Sequence, residues 1–172
     1  MSRARVLADI SANLEASGSQ LLQPNLSIFH AVAVGGSGGG GINLTLGTSS
    51  AEVTFFTQVQ INRGSDYDGS SCRYTAPVAG IYEFEMYFIS GSANDVFRFD
   101  FAKNGSLLDF QPQLRLDTSD TTNSDYEIGS AGMFIELAVN DYISVFGKSD
   151  AGSDAFVGPQ GTYSYFRGRF VA

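Results

Sequence analysis

The feature that most constrains the fold of this chain is a two-residue alternation of aromatic and polar side chains. In the segment IYEFEMYF, Glu83 and Glu85 fall on one side of an extended chain, and the other side carries Tyr82, Phe84, Met86 and Phe88. The segment VFRFDFAK repeats the pattern with phenylalanine at every second position. Because successive side chains of a strand point to opposite faces, this period predicts strands that each bury one face.

Turn residues separate further segments of the same kind. The run Lys103-Asn104-Gly105-Ser106 is a strong hairpin signal, and Asn140-Asp141 marks another turn. The other alternating segments are SIFHAVAV, GMFIELAV, YISVF and YSYFRGRF. We also place five residues on one face of a strand, namely Val53, Phe55, Thr57, Val59 and Ile61. About nine short strands of this kind predict an all-β sandwich or barrel.

Composition excludes several classes of protein. The chain has 172 residues, is 43% hydrophobic and contains 14 Phe and 8 Tyr, which is enough for one domain with a large core. Its net charge of −8 argues against a nucleic-acid partner, because such proteins neutralise phosphates with basic residues. No apolar run approaches the roughly 20 residues that cross a bilayer, so we expect no membrane insertion.

The amino-terminal segment, residues 1–20, is predicted to be an anchor, either a short helix or an extended segment. Its apolar residues fall at helical spacing and are Val6, Leu7, Ile10 and Leu14. Ser2 is available as a cap and Gly18 is placed to end a helix of about four turns, which would be marginal alone in water. Arg3 and Arg5 lie at the positive end of the helix dipole, where cations are mildly unfavourable. We therefore expect this segment to lie on an acidic partner surface.

Glycines at 35–41 follow the first alternating segment and favour a flexible loop between strands. A phosphate-binding loop needs a Lys-Ser/Thr ending or a dinucleotide fingerprint before a helix, and neither follows. The lone His30 and the lone Cys72 are interpreted as strand residues, and a single cysteine excludes an internal disulfide.

A second pattern extends over most of the chain as a fixed order of aromatic, proline and glycine residues. It includes the sequence Gly-x-Tyr-x-Phe at positions 80–84 and continues to the last strand. The matching positions are Phe56, Asn62, Gly64, Tyr67, Asp68, Tyr74, Pro77, Gly80, Tyr82 and Phe84, then Lys103-Asn104-Gly105, Leu137, Asp141, Phe166 and Gly168. This order resembles the globular head of complement C1q proteins over roughly residues 27–171.

The resemblance implies a ten-strand jelly roll, related to tumour necrosis factor, that assembles as a homotrimer and binds other molecules without catalysis. We therefore expect residues 21–172 to form a jelly-roll domain. The resemblance assigns its core and trimer contacts to Phe56, Tyr67, Tyr74, Pro77, Gly80, Tyr82, Phe84, Phe166 and Gly168. Unlike the animal proteins, the sequence has no collagen stem, and Asp9, Ser11 and Asn13 interrupt any secretion signal.

The leading segment SRARVLADI resembles the short start of many tailed-phage fibre and virion proteins. The matching positions are Ser2, Ala4, Arg5, Leu7, Ala8 and Asp9. This resemblance implies a virion protein that is made in the host cytoplasm and joined to other virion proteins through residues 1–20.

The residues for catalysis or metal binding are sparse. One His and one Cys do not support a catalytic triad or a zinc site, so we expect no enzyme and no cofactor. The paired carboxylates that could serve a glycosidase lie in turn-rich sequence, at Asp66, Asp68, Asp117, Asp120, Asp125, Asp150 and Asp154. Those oxygens would also suit a structural calcium ion, although no twelve-residue calcium loop is present.

Three functions remain open from sequence. The first is a trimeric phage fibre, or a capsid or tail decoration, whose loops at 35–41, 117–128 and 147–161 would touch a glycan or protein of the host surface. The second is a free soluble trimeric ligand or lectin-like module. The third is a phage depolymerase.

Overall fold

The computed structural model describes residues 15–17, 20–22, 27–33, 42–90, 95–109, 112–118, 127–151, 155–158 and 164–172. The described residues contain strands and no helix. The strands are β1 (Glu15–Ser17), β2 (Gln20–Leu22), β3 (Ile28–Val32), β4 (Ile42–Thr45), β5 (Ala51–Glu52), β6 (Gln58–Arg63), β7 (Tyr67–Asp68), β8 (Arg73–Thr75), β9 (Gly80–Ser90), β10 (Val96–Lys103), β11 (Ser106–Leu107), β12 (Leu114–Asp117), β13 (Glu127–Leu137), β14 (Tyr142–Ser149), β15 (Ala155–Gly158) and β16 (Tyr165–Phe170).

Two antiparallel sheets contain most of these strands. A seven-stranded sheet has the order β11-β10-β14-β8-β7, with β12 also paired to β10 and β5 paired to β14. A five-stranded sheet has the order β13-β9-β16-β3-β6. The pairs β1–β2 and β4–β15 form two small sheets. Neighbouring strands are often distant in sequence, as expected for a jelly roll.

The core lies between the two large sheets and consists mainly of aromatic rings. Phe88 of β9 stacks on Phe99 of β10 with centroids 3.7 Å apart, which joins the five-stranded sheet to the seven-stranded sheet. The largest fully buried side chains are Tyr74, Tyr82, Phe29, Phe56, Phe84, Phe88, Phe97, Phe99, Phe101, Phe166 and Met86. Burying each such side chain contributes about 1.5–3 kcal/mol. The predicted alternation of β9 and β10 is confirmed by their burial patterns.

The predicted turns form where the sequence signals lie. Asn104 and Gly105 have φ values of 53° and 80°, which close the β10–β11 hairpin. Asn140 has a φ of 69° in the turn between β13 and β14. Asn and Gly tolerate this left-handed region better than other residues do, so the turn prediction has a direct steric cause.

Two expectations need correction. The helix that was predicted to run to Gly18 does not include Glu15–Ser17, because those residues pair as a strand with Gln20–Leu22. The expected single strand face from Val53 to Ile61 is also wrong. The chain between β5 and β6 is not a strand, and Phe56 is buried there while Ile61 is exposed. The adjacent rings Phe55 and Phe56 both contact the core, which a strictly alternating strand would not allow.

Two smaller differences concern strand count and the cysteine. The described residues contain sixteen strand segments, six of only two or three residues, so the count of ten is not confirmed. Cys72 is buried as expected for a small apolar residue, but it lies in the turn before β8 with a φ of 56° rather than in a strand.

Candidate functional site

The side of the five-stranded sheet that faces away from the core carries an ordered array of side chains, here called the outer face. Strand register aligns these residues in rows across the sheet. The central row runs Gly132, Glu85, Arg167, His30 and Ile61. The row on one side runs Phe134, Glu83, Arg169, Ile28 and Arg63, and the row on the other begins Ser130, Tyr87, Tyr165 and Val32. The outer face is therefore the polar half of the alternation seen in sequence.

The two glutamates and two arginines neutralise each other in register. Arg167 donates to Glu85 with Nη2 to Oε2 at 2.7 Å, and Arg169 donates to Glu83 at 2.6 Å. The Tyr165 hydroxyl donates to the other oxygen of Glu85 at 2.6 Å. Although partial burial alone would raise the pKa of Glu85, the Tyr165 and Arg167 donors hold it below its usual value.

Aromatic rings pack beside the central ion pair. Tyr165 stacks on Tyr87 with centroids 5.2 Å apart and an interplanar angle of 8°. The guanidinium of Arg167 lies 5.1 Å from the Tyr165 centroid, within the range of a cation–π contact. Burial and the neighbouring Glu85 raise the pKa of Tyr165 to about 12, so its hydroxyl remains a donor at neutral pH.

His30 lies next to Arg167 in the central row of the outer face, and its surroundings favour the uncharged imidazole. Burial lowers its pKa, the positive charge of Arg167 lowers it further, and Glu85 opposes both. Its ring meets Tyr165 edge-on at 5.2 Å. The Nε2 atom is buried and has no hydrogen-bond partner among the described residues. A neutral histidine beside a paired arginine fits a surface that becomes covered, because a charged imidazole would be costly there.

Apolar side chains and a cavity complete the outer face. Phe134 is 63% exposed and Ile128 58%, and Ile61 and Ile81 are also exposed. An open cavity of about 310 Å³ lies among Ile28, Phe29, His30, Ile61, Glu83, Glu85, Arg167, Gly168 and Arg169, and we call it the sheet-face cavity. Large exposed apolar side chains around neutralised charges are typical of interaction surfaces.

Most of the residues that the family resemblance assigned to the core and trimer lie in the core and not on the outer face. The buried aromatic members are Phe56, Tyr67, Tyr74, Tyr82, Phe84 and Phe166. The Tyr67 hydroxyl donates to the Phe56 carbonyl at 2.8 Å, and the Tyr82 hydroxyl donates to the Val78 carbonyl at 2.6 Å. Pro77 is exposed in the turn before β9. The aromatic residues of this set lie in the core, and their role in a trimer stays a prediction.

The two glycines of the pattern allow close approaches of the backbone. A Cβ on Gly168 would lie 2.4 Å from the Phe84 ring, and a Cβ on Gly80 would lie 2.4 Å from the Ala172 carbonyl oxygen. Either contact is far shorter than packed atoms tolerate, so both positions require glycine.

The structure also brings two distant parts of the pattern together, Lys103-Asn104 and Asp141. Lys103 pairs with Asp141 at 2.7 Å, and the Asn104 side-chain amide donates to the same carboxylate at 2.8 Å. The Tyr142 amide donates to Asn104 at 2.9 Å, and the Ala138 amide donates to Asp141 at 2.8 Å. Lys103, Asn104 and the Ala138 amide hold the pKa of Asp141 at about 2. This network ties the β10–β11 turn to the β13–β14 turn.

The proposed anchor and part of the proposed host-binding loops fall outside the described residues. These are Arg3, Arg5, Val6, Leu7, Ile10 and Leu14, the whole of 35–41, and 119–126, 152–154 and 159–161. Two of the expected loops are partly strand, because Asp117 ends β12, Glu127 and Ile128 begin β13, and Ala155–Gly158 forms β15.

The candidate carboxylates mostly have local partners. Ser70 and Ser71 donate to Asp68, whose pKa they lower to about 2. Asp150 is held by Arg98 and Asp117 by Arg115. In the described part of the chain, no group of three or more His, Cys, Asp or Glu is placed to hold a metal ion. Asp120, Asp125 and Asp154 lie outside that part, so a calcium ion stays a prediction.

Searching the described residues for a membrane span gives no helix of sufficient length and apolar character.

Sequence reasoning placed Glu83 and Glu85 on the polar side of β9 but assigned them no function. It gave no role to Arg167, Tyr165 or Phe134. The available signal was the opposite charge of two alternating pairs, Glu at 83 and 85 and Arg at 167 and 169. Recognising it required the strand register, since Glu85 and Arg167 are 82 residues apart.

Comparisons with known proteins agree with this architecture. Residues 42–171 match the model of the C1q domain family. Among solved structures, the globular domain of zebrafish complement 1qA superposes with a TM-score of 0.53 at 15% identity, covering 85% of this chain and 98% of the zebrafish chain. Murine APRIL at pH 8.0 superposes with a TM-score of 0.60 at 14% identity, covering 86% of this chain and all of the APRIL chain.

A third solved structure, Eiger TNF from S. frugiperda, gives a TM-score of 0.53 at 12% identity and covers 86% of this chain and 93% of Eiger. At these identities the likeness concerns the fold alone. A search of curated protein sequences found no significant match.

Proposed function

Because this chain belongs to the C1q domain family, we propose that it forms a homotrimer through the outer face and acts as a non-enzymatic structural protein of a tailed-phage virion. Domains of the C1q and tumour necrosis factor type are typically trimeric ligand-binding modules and are generally not enzymes. In the proposed function, residues 1–20 attach the protein to other virion components and the jelly roll projects toward the host.

The observation that supports assembly is the chemistry of the outer face. Its charges are neutralised within the same chain, with Arg167 on Glu85 and Arg169 on Glu83. A surface whose charges are already paired is less costly to bury than one with free charges. Its exposed Phe134 and Ile128 gain free energy when a neighbouring copy covers them.

Attachment to a virion is supported by the leading segment Ser2 to Asp9, which resembles the start of phage virion proteins. The test is deletion of residues 2–17. The proposal predicts that the shortened protein still forms a trimer but fails to join particles assembled from phage components. Incorporation at the wild-type level would overturn the anchoring role.

The alternative is a free soluble trimeric ligand, and one observation favours it. The family match begins at residue 42, so the domain is defined without the leading segment. This alternative predicts that the same deletion leaves binding to host cells unchanged and that the protein does not co-sediment with phage particles. Release of reducing sugar from host envelope by the purified protein would instead support a depolymerase.

A further inference from the structure

We infer that the Phe134 side chain of one copy occupies the sheet-face cavity of a neighbouring copy. This inference rests on the proposed trimer and names a residue that each copy contributes to the next.

Phe134 is the part of the outer face that most needs a partner. It is the most exposed large apolar side chain among the described residues, at 63%. It lies on β13, which is at the edge of its sheet and, among the described strands, pairs with β9 alone. An aromatic ring that is buried at an interface contributes more than most contacts, because it removes a large apolar area from water at a small entropy cost.

The sheet-face cavity has walls that suit an uncharged ring. Ile28 and Ile61 form apolar walls, and Gly168 contributes only backbone to the lining. The charges at the rim are paired, Glu83 with Arg169 and Glu85 with Arg167. Because both signs are already neutralised, the cavity favours an uncharged occupant over an ion. The guanidinium groups can instead lie against an aromatic face.

The strand register separates Phe134 from the apolar walls of the cavity in its own chain. Phe134 is opposite Glu83, Glu83 is opposite Arg169, and Arg169 is opposite Ile28. Three strand spacings separate Phe134 from Ile28, which is about 14 Å at the usual distance between strands. In a closed ring of three copies, each copy gives one ring and receives one.

The direct test is a disulfide between neighbouring copies. The double variant Phe134→Cys with Ile61→Cys is oxidised and run on a denaturing gel. The expected result is a ladder that ends at three chains, with single chains for either variant alone. Within one chain the two positions are too far apart for a disulfide, which needs Cα atoms within about 7 Å. The native Cys72 is buried and gives little background. The matched control replaces Phe134→Cys by Val139→Cys, which is 55% exposed in the turn after β13.

A second measurement covers the case in which the double variant assembles poorly. Phe134→Ala is expected to weaken self-association at least tenfold, whereas Ile128→Ala, on the same strand and face, is expected to have a clearly smaller effect. A trimer that survives Phe134→Ala with wild-type affinity and gives no specific disulfide would overturn this inference alone. A wild-type protein that stays a single chain would overturn the proposed trimer as well.

Discussion

The outward faces of the two sheets differ in what they offer to solvent. On the outer face of the five-stranded sheet, four large apolar side chains are exposed, namely Ile61, Ile81, Ile128 and Phe134. In the seven-stranded sheet, Leu107 is the exposed large apolar residue among the described strands. That sheet carries the ion pairs Arg98–Asp150 and Arg73–Glu52, with Arg73 also 4.6 Å from the Tyr142 ring. The outer face has two ion pairs of its own, so the two faces differ in their exposed apolar side chains and not in the presence of ion pairs.

In the proposed assembly, this difference separates a face that stays hydrated from a face that another copy covers. Both sheets bury aromatic side chains on their inward faces, so the inner half of the alternation specifies the fold. The outer half then decides the role of each face. Ion pairs on a hydrated face contribute about 0–1 kcal/mol each, whereas exposed apolar side chains gain free energy only when they are covered.

The largest expected effect comes from reversing a charge on the outer face. Arg167→Glu removes the partner of Glu85 and places a second carboxylate beside it. Burial of two unpaired like charges is strongly unfavourable, so we expect self-association to weaken by more than about a hundredfold. Sedimentation velocity across a concentration series measures this directly.

The matched control is Arg98→Glu, which breaks the same kind of pair on the seven-stranded sheet. Because that face is exposed to solvent, stability should fall only slightly and association should not change. Equal losses of association in both variants would show that the two faces do not differ in the proposed way.

A glycine substitution tests the inner half of the alternation. Gly168 lies between Arg167 and Arg169 on β16, and an added Cβ would lie 2.4 Å from the Phe84 ring. Gly168→Ala should destabilise the folded chain by about 1–3 kcal/mol through overpacking. Chemical denaturation measures this loss in the free energy of unfolding. Gly47→Ala is the control, since its nearest atom is 3.9 Å away, and a similar loss there would contradict the packing argument.

The protonation of His30 should make association weaker in mild acid. Its pKa is lowered by burial and by Arg167, so the uncharged form is favoured in the folded protein. The stability that comes from keeping His30 uncharged is fully present above the usual histidine pKa near 6.5. It is lost as the pH falls from that value through the lowered pKa of the folded protein. Arg169 also faces this site, and Glu83 and Glu85 are already occupied by arginines.

We therefore expect a weaker trimer at pH 5 than at pH 8, by about tenfold for each unit that assembly lowers the pKa further. His30→Gln should remove this dependence. As His30 is the only histidine in the chain, no second imidazole complicates the comparison. Unchanged pH dependence in His30→Gln would assign the effect to other groups.

The smallest expected effect concerns the turn network, which lies away from the outer face. Lys103 and Asn104 hold the pKa of Asp141 at about 2, so its contribution to stability is complete above about pH 4 and is lost as pH falls through 2. Asp141→Asn should cost about 1 kcal/mol at neutral pH and flatten the loss of Tm between pH 4 and 2. Thermal melts check this, and association at pH 8 should be unaffected.

The inward half of the fold could be predicted from sequence because period two is a local property. Tyr82, Phe84 and Phe88 are buried where the alternation places them. The two-residue alternation does not hold between β5 and β6, where the neighbouring rings Phe55 and Phe56 both pack on the core. There, tertiary packing overrides the regular strand.

The outer face could not be predicted because it depends on pairing between distant strands. The sequence gives Glu85 and Arg167 as separate charges, and only the register of β9 with β16 makes them a pair. The sequence marks Lys103, Asn104 and Asp141 as turn residues and as positions of a family pattern, but the contacts among them are visible only in the structure.

The measurement that tests the central claim most directly is the mass of the purified full chain in solution. Sedimentation equilibrium at micromolar concentration and pH 8 should give three times the chain mass of 18.4 kDa. Arg98→Glu should give the same value and Arg167→Glu should give the single-chain mass. A wild-type protein that sediments at 18.4 kDa throughout this range would contradict the account.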